Sequence, residues 1–111
     1  MATLANLYID AGTDYSTNVS ISLDGFSALN LTGYTIKSQM RKSYSSSLAF
    51  DFTATVFNAI LGKIKIEMSS IQTSSIPAGR WLYDIEITSP DNKKSRVVEG
   101  IVIVTPQITQ T

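Results

Sequence analysis

Apolar and polar positions alternate at period two along most of the chain, the pattern of half-buried β-strands. The strongest stretch is Gly79 to Ile87. Trp81, Tyr83, Ile85 and Ile87 fall on one face; Arg80, Asp84 and Glu86 fall on the other, with Leu82 breaking the alternation. This stretch is expected to be the central strand of a small β-sandwich. Leu48, Phe50, Phe52, Ala54 and Val56 alternate equally cleanly with Ala49, Asp51, Thr53 and Thr55. The four large apolar side chains of that face would contribute roughly 6–12 kcal/mol if fully buried, before conformational entropy is counted.

Five further strands follow from the same rule. They are Leu4–Ile9, a stretch carrying Val19, Ile21 and Leu23, Tyr34–Lys42, a stretch carrying Ile64, Ile66 and Met68, and Ser95–Val104. Lys37 and Arg41 put charge on the wet face of the third strand, a device against edge-to-edge pairing. Turn residues separate the strands: Asp10-Ala11-Gly12, Asp24-Gly25, Pro77-Ala78-Gly79 and Ser89-Pro90-Asp91-Asn92. Ser69–Ile76 lacks period two and has room for one helical turn. Gly100, inside the last strand, predicts a bulge or a close backbone approach, and a bulge would swap the residues facing the core. Seven short strands without an amphipathic helix argue for an antiparallel sandwich or a small barrel.

The length of 111 residues fits one domain, 1–111, with a short N-terminal arm and a polar C-terminal tail. Nine basic and nine acidic residues balance to zero net charge, so no nucleic-acid partner is expected. No apolar run approaches the ~20 residues of a membrane span, and no membrane partner is expected. Met1-Ala2-Thr3-Leu4 lacks the basic and apolar regions of a signal peptide. Cysteine and histidine are both absent. That removes disulfides, thiolate chemistry, the commonest general base and the commonest metal ligands.

The remaining chemistry is thin. Asp10-x-Gly12-x-Asp14 opens like a calcium loop, but the twelfth position is Ile21 where an EF-hand needs a carboxylate, so it reads as a turn. Asn18-Val19-Ser20 and Asn30-Leu31-Thr32 match the glycosylation sequon, which carries meaning only in a secreted protein. Asp84 and Glu86 share a strand face, yet paired carboxylates need a cleft to act on a glycoside; a solvated face is the preferred reading. Trp81 and Tyr83 read as core aromatics rather than a sugar-stacking platform, with Tyr83 expected to hydrogen-bond backbone. No catalytic residue, cofactor or metal ligand is expected, and the chain is not expected to be an enzyme.

Three stretches together carry a resemblance: Leu31-Thr32-Gly33-Tyr34-Thr35, Pro77-Ala78-Gly79-Arg80-Trp81-Leu82-Tyr83-Asp84-Ile85-Glu86 and Arg96-Val97-Val98-Glu99-Gly100-Ile101-Val102-Ile103. Their order and spacing resemble the immunoglobulin-like domain of tailed-phage virion proteins. The N-terminal domain of baseplate upper proteins and the small structural proteins of cyanophage-type myoviruses are similar; Ser38-Gln39-Met40-Arg41-Lys42-Ser43 also fits the latter. The resemblance implies an all-β, antiparallel immunoglobulin-like β-sandwich of about seven strands. It further implies a non-enzymatic structural protein located in the virion, whose partners are other virion proteins and further copies of itself. The family offers no catalytic residues to transfer.

On that reading the expected contact residues are Leu4 in the N-terminal arm, Phe57 and Leu82 on otherwise polar faces, and Gln107 and Ile108 in the tail, because exposed apolar residues on polar faces mark interfaces. The alternative is a carbohydrate-binding or host-adhesion module using Trp81, Tyr83, Tyr15 and Tyr44, which requires those rings to be exposed.

Overall fold

The structure, a computed structural model, describes residues 3–22 and 28–106. They form eight strands and one short helix: β1 Thr3–Leu4, β2 Leu7–Asp10, β3 Tyr15–Ser20, β4 Thr35–Arg41, β5 Ala49–Asn58, β6 Lys63–Met68, α1 Ser70–Ser74, β7 Gly79–Thr88 and β8 Lys94–Thr105. Hydrogen bonding connects the strands in the order β1-β8-β7-β4-β5-β6-β3, with β2 continuing β1 along β8. The first half of β5, through Phe52, pairs with β4; the second half, from Thr53, pairs with β6. One strand thus passes from one sheet to the other. β2, β8, β7, β4 and the start of β5 make the first sheet, and the end of β5, β6 and β3 make the second. The first strand beside the last, and the third, sixth and fifth forming the opposite sheet, is the immunoglobulin-like arrangement.

The expected organising strand is β7, and it is central: β8 flanks it on one side and β4 on the other. Trp81, Tyr83, Ile85 and Ile87 are all buried. Aromatic edges tie the core together, and the contact between Phe52 and Tyr15 links the two layers. Phe52 meets Tyr83 at 6.2 Å and Tyr15 at 6.3 Å between ring centroids, and Phe50 meets Trp81 edge-on at 5.5 Å. The Trp81 indole N–H donates to the Pro77 carbonyl at 3.0 Å, so the buried ring leaves no polar group unpaired.

Several expectations need correction. The first strand is not continuous: Ala5 and Asn6 interrupt it, and both pieces run parallel to β8 rather than antiparallel. The second strand begins at Tyr15, ahead of Val19 where its apolar alternation starts, and ends at Ser20, short of Ile21; Leu23 and the Asp24-Gly25 turn lie outside the described residues. Leu48 precedes β5 and is 51% exposed, so the dry face of that strand is shorter than its pattern. Lys37 and Arg41 guard no edge, because β4 is paired on both sides.

Gly100 marks a close approach. A Cβ there would meet the Ala5 carbonyl oxygen at 2.1 Å. The bulge lies three residues earlier, at Val97: Ile85 faces Val98 while Glu86 faces Arg96. Val97 and Val98 are accordingly both buried, and the inward phase of β8 changes from odd to even positions. The single helical turn is α1. Ser69 caps it by accepting from the Gln72 N–H, and the Gln72 side chain accepts from the Ser69 N–H in return.

Candidate interaction face on the outer side of the β8-β7-β4 sheet

The face opposite the core is built from cross-strand rows. Arg41, Leu82 and Ile101 form one row across β4, β7 and β8; Gln39, Asp84 and Glu99 form the next; Lys37, Glu86 and Arg96 the third. On the other side of the first row, Arg80 lies opposite Ile103, which pairs with Tyr8 of β2. The bulge at Val97 is what turns Ile101 and Ile103 outward, since it places even-numbered residues of β8 in the core. Apolar side chains therefore run through a charged surface. Leu4, Leu82, Ile101 and Tyr44 line a trough of about 590 Å³ that is open to solvent.

One arginine on this face pairs with two carboxylates. Arg96 meets Asp84 at 3.2 Å and Glu99 at 3.3 Å. Burial, and then the neighbouring Glu86, push the Asp84 carboxyl above its ordinary value, while Arg96 pulls the other way. Glu99 and Asp84 hold the Arg96 guanidinium further toward its charged form. Below the face, the Ser38 hydroxyl donates to the Asp84 carbonyl at 2.7 Å. Asp84, paired with Arg96, and Glu86 thus line an open trough and not an enclosed cleft.

Of the expected contact residues, Leu4 and Leu82 come together in this trough. Leu4 is 73% exposed and Leu82 is half-buried. Phe57 lies elsewhere, near the β5–β6 turn, where Ile60 and Leu61 are also exposed. Gln107 and Ile108 lie outside the described residues. Tyr8, Ile101, Ile103 and the Ile60-Leu61 pair are exposed or half-exposed apolar positions that pattern reading passed over. Ile101 and Ile103 were hidden in a nearly continuous apolar run, and only the bulge decides which members face out.

The other candidate motifs are ordinary structure. Asp10 accepts from the Thr105 hydroxyl at 2.6 Å, and Asp14 accepts from the Ser70 N–H at 2.7 Å. Among the described residues no cluster of carboxylates could hold a metal ion. Asn30 accepts from both the Thr32 N–H and hydroxyl, closing a local turn. Trp81 and Tyr83 are 1% and 5% exposed, so neither ring is open for sugar stacking. Tyr83 does bond backbone, as expected, but its hydroxyl donates at 2.6 Å to the Ala5 carbonyl, 78 positions away, and pins the N-terminal arm to the core.

No family model matches the chain, and no curated protein matches it. Solved structures do. The Listeria monocytogenes internalin-like protein lmo2027 aligns at a TM-score of 0.47 and 14% identity, over 96% of this chain. This chain spans 28% of that protein's length. The second Ig domain of the mouse polymeric immunoglobulin receptor aligns at 0.47 and 10% identity, over 97% of this chain and 100% of that one. Both likenesses are remote, and the assignment of an immunoglobulin-like sandwich stands on the strand order itself.

Proposed function

We propose that the chain is a non-enzymatic structural subunit of a tailed-phage particle, held in the tail, baseplate or capsid surface by contacts with neighbouring virion proteins. The three sequence stretches that resemble phage immunoglobulin-like domains motivate the source. The observation that carries the docking role is the outer face of the β8-β7-β4 sheet. There Leu4, Leu82 and Ile101 leave apolar surface beside the row whose Asp84 and Glu99 pair with Arg96. Such a surface gains from being covered, while the surrounding charges supply register and orientation rather than bulk affinity.

The test is incorporation into particles. Tagged wild-type chain and the Leu82→Glu variant are supplied in an infected host, and purified particles are probed for each. The wild type is expected in the particles. Leu82→Glu, at a half-buried position of the outer face, is expected to fold and to be depleted from them at least tenfold. Absence of the wild-type chain from particles overturns the reading of source; equal incorporation of both chains overturns the assignment of the face.

A further inference from the structure

A sandwich of this topology has four open strand edges, and three of them carry a device that discourages pairing. The β1-β2 edge is short and interrupted at Ala5 and Asn6. The first half of β5 carries exposed Asp51 and diverges into the other sheet. The second half of β5 has a register shift between Val56 and Asn58. The fourth edge is β3, Tyr-Ser-Thr-Asn-Val-Ser, and it has no such device. It contains no charge and no proline, its six residues pair with β6 without a register shift, and among the described residues no strand covers its other side.

The orientation of its open groups can be read. The Ile21 N–H, one step beyond β3, donates to Gly62 on the β6 side at 2.8 Å. Alternate residues of an antiparallel strand bond to the same side. Tyr15, Thr17 and Val19 therefore bond inward to β6, and Ser16, Asn18 and Ser20 direct their N–H and C=O groups outward. Their side chains are exposed and small.

We infer that β3 pairs antiparallel with β3 of a second copy of this chain, about a two-fold axis at Asn18. This register makes Ser16 face Ser20 of the second copy, Asn18 face its own copy and Ser20 face Ser16 of the second copy, all as hydrogen-bonded pairs. It also puts Thr17 opposite Val19 on the inner side, which keeps the half-buried face continuous. Pairing a strand with its own copy in this direction satisfies two-fold symmetry without further adjustment. A one-residue slip would set inward side chains against outward ones.

Charge favours the same partner. Within the sandwich, Ser16 is opposite Glu67, Asn18 opposite Lys65 and Ser20 opposite Lys63. In the paired dimer the row through Ser16 and Ser20 ends on Glu67 of one copy and Lys63 of the other, twice by symmetry. The two strands of serine between them span ~14 Å at the usual strand spacing, and the long side chains can lean over the small residues toward each other. Lys65 faces its own copy across the axis at the same ~14 Å, beyond the ~8–10 Å over which exposed charges act at physiological salt, and the two side chains can turn apart; Glu67, which meets Lys65 at 3.8 Å within each copy, is shared between that lysine and Lys63 of the second copy. The zero net charge of the chain adds no repulsion between copies.

The experiment is sedimentation of the full chain over a hundredfold concentration range, with wild type, Asn18→Pro, Asn18→Lys and Leu82→Glu compared. Among the described residues the Asn18 N–H has no partner within the monomer, so proline there removes the outward donor without breaking a bond to β6. Lysine sets like charges face to face across the axis without touching the backbone. Wild type and Leu82→Glu are expected to move from monomer to dimer together as concentration rises. Both Asn18 variants are expected to stay monomeric, with wild-type circular dichroism. Should Asn18→Pro fail to fold, Asn18→Lys decides alone. A wild type that remains monomeric throughout, or an Asn18→Lys chain that dimerises as readily as wild type, overturns the inference. Loss of the dimer in Leu82→Glu alone would place the contact on the outer sheet face and overturn it as well.

Discussion

β5 and β7 are both ten residues long and both alternate at period two, yet they are buried very differently. β7 hides Trp81, Tyr83, Ile85 and Ile87; β5 hides only Phe52, while Phe50, Ala54 and Val56 stay partly open. The difference is neighbours. β4 runs beside β7 through seven residue pairs and β8 through ten. β5 has a partner on one side only at any point, β4 over its first half and β6 over its second. Phe52 is buried where β5 touches the β7 stack, against the edge of Tyr83. Period two tells which side of a strand faces inward. Position in the sheet order tells how dry that side becomes.

The largest expected effect breaks the comparison at matched aromatic sites. Trp81→Ala removes a side chain that is 1% exposed, together with its bond to Pro77 and its edge contact with Phe50. It should cost about 3–5 kcal/mol. Phe50→Ala, on the same contact but half-buried, should cost roughly half as much. Urea unfolding followed by circular dichroism measures both, since the chain has a single tryptophan. Equal losses would mean that β5 carries as much of the core as β7.

Much of this fold was legible because its strands alternate. The β7 and β4 faces follow directly from the sequence: Tyr34, Ile36, Ser38 and Met40 point inward as the pattern requires, with the Ser38 hydroxyl satisfied by the Asp84 carbonyl. The errors fall where period two is not the deciding rule. Leu48 extends a pattern beyond the point where pairing begins. The early start of β3 at Tyr15 was obscured because Tyr-Ser-Thr-Asn has no clear apolar alternation, and its edge position demands none. The candidate face was half legible. Leu82 stood out as an apolar residue on a polar side, whereas Ile101 needed the Val97 bulge, which depends on the register against β7.

A smaller effect concerns the arm that β7 holds. Tyr83→Phe removes the hydroxyl that bonds the Ala5 carbonyl and should cost about 1–2 kcal/mol, because that part-buried carbonyl loses its partner. Burial, and then the charge of Tyr15, push the Tyr83 phenol up to about 12 from 10.0. A raised value means the fold favours the neutral phenol. The resulting stability is fully present below pH 10 and is lost as pH rises toward 12. The gap between wild type and Tyr83→Phe should therefore narrow over that alkaline window, read as convergence of urea midpoints. A constant gap would show that ionisation of Tyr83 is not coupled to the fold.

The smallest effect lies on the opposite side of the same strand. The Asp84 carboxyl is raised above its ordinary value of 3.8, first by burial between its neighbours and then by Glu86, against the pull of Arg96. Here too the neutral form is favoured on folding, but the group is charged at neutral pH. Asp84 therefore subtracts from stability at pH 7, and this penalty disappears as pH falls through the raised value of the folded state and then through 3.8. Asp84→Asn should stabilise the protein slightly at pH 7, by no more than about 0.5 kcal/mol, since the site is partly open to solvent. Arg96 keeps Glu99 as a partner at 3.3 Å in the variant. Below pH 3.8 both chains are neutral at this position, and the advantage should vanish. Urea midpoints at pH 7 and pH 3 separate the alternatives. A variant that is weaker at neutral pH would show that the Arg96 ion pair outweighs burial. The outer side of β7 would then be held by its charges, with the two flanking strands adding little cost to the carboxylate between them.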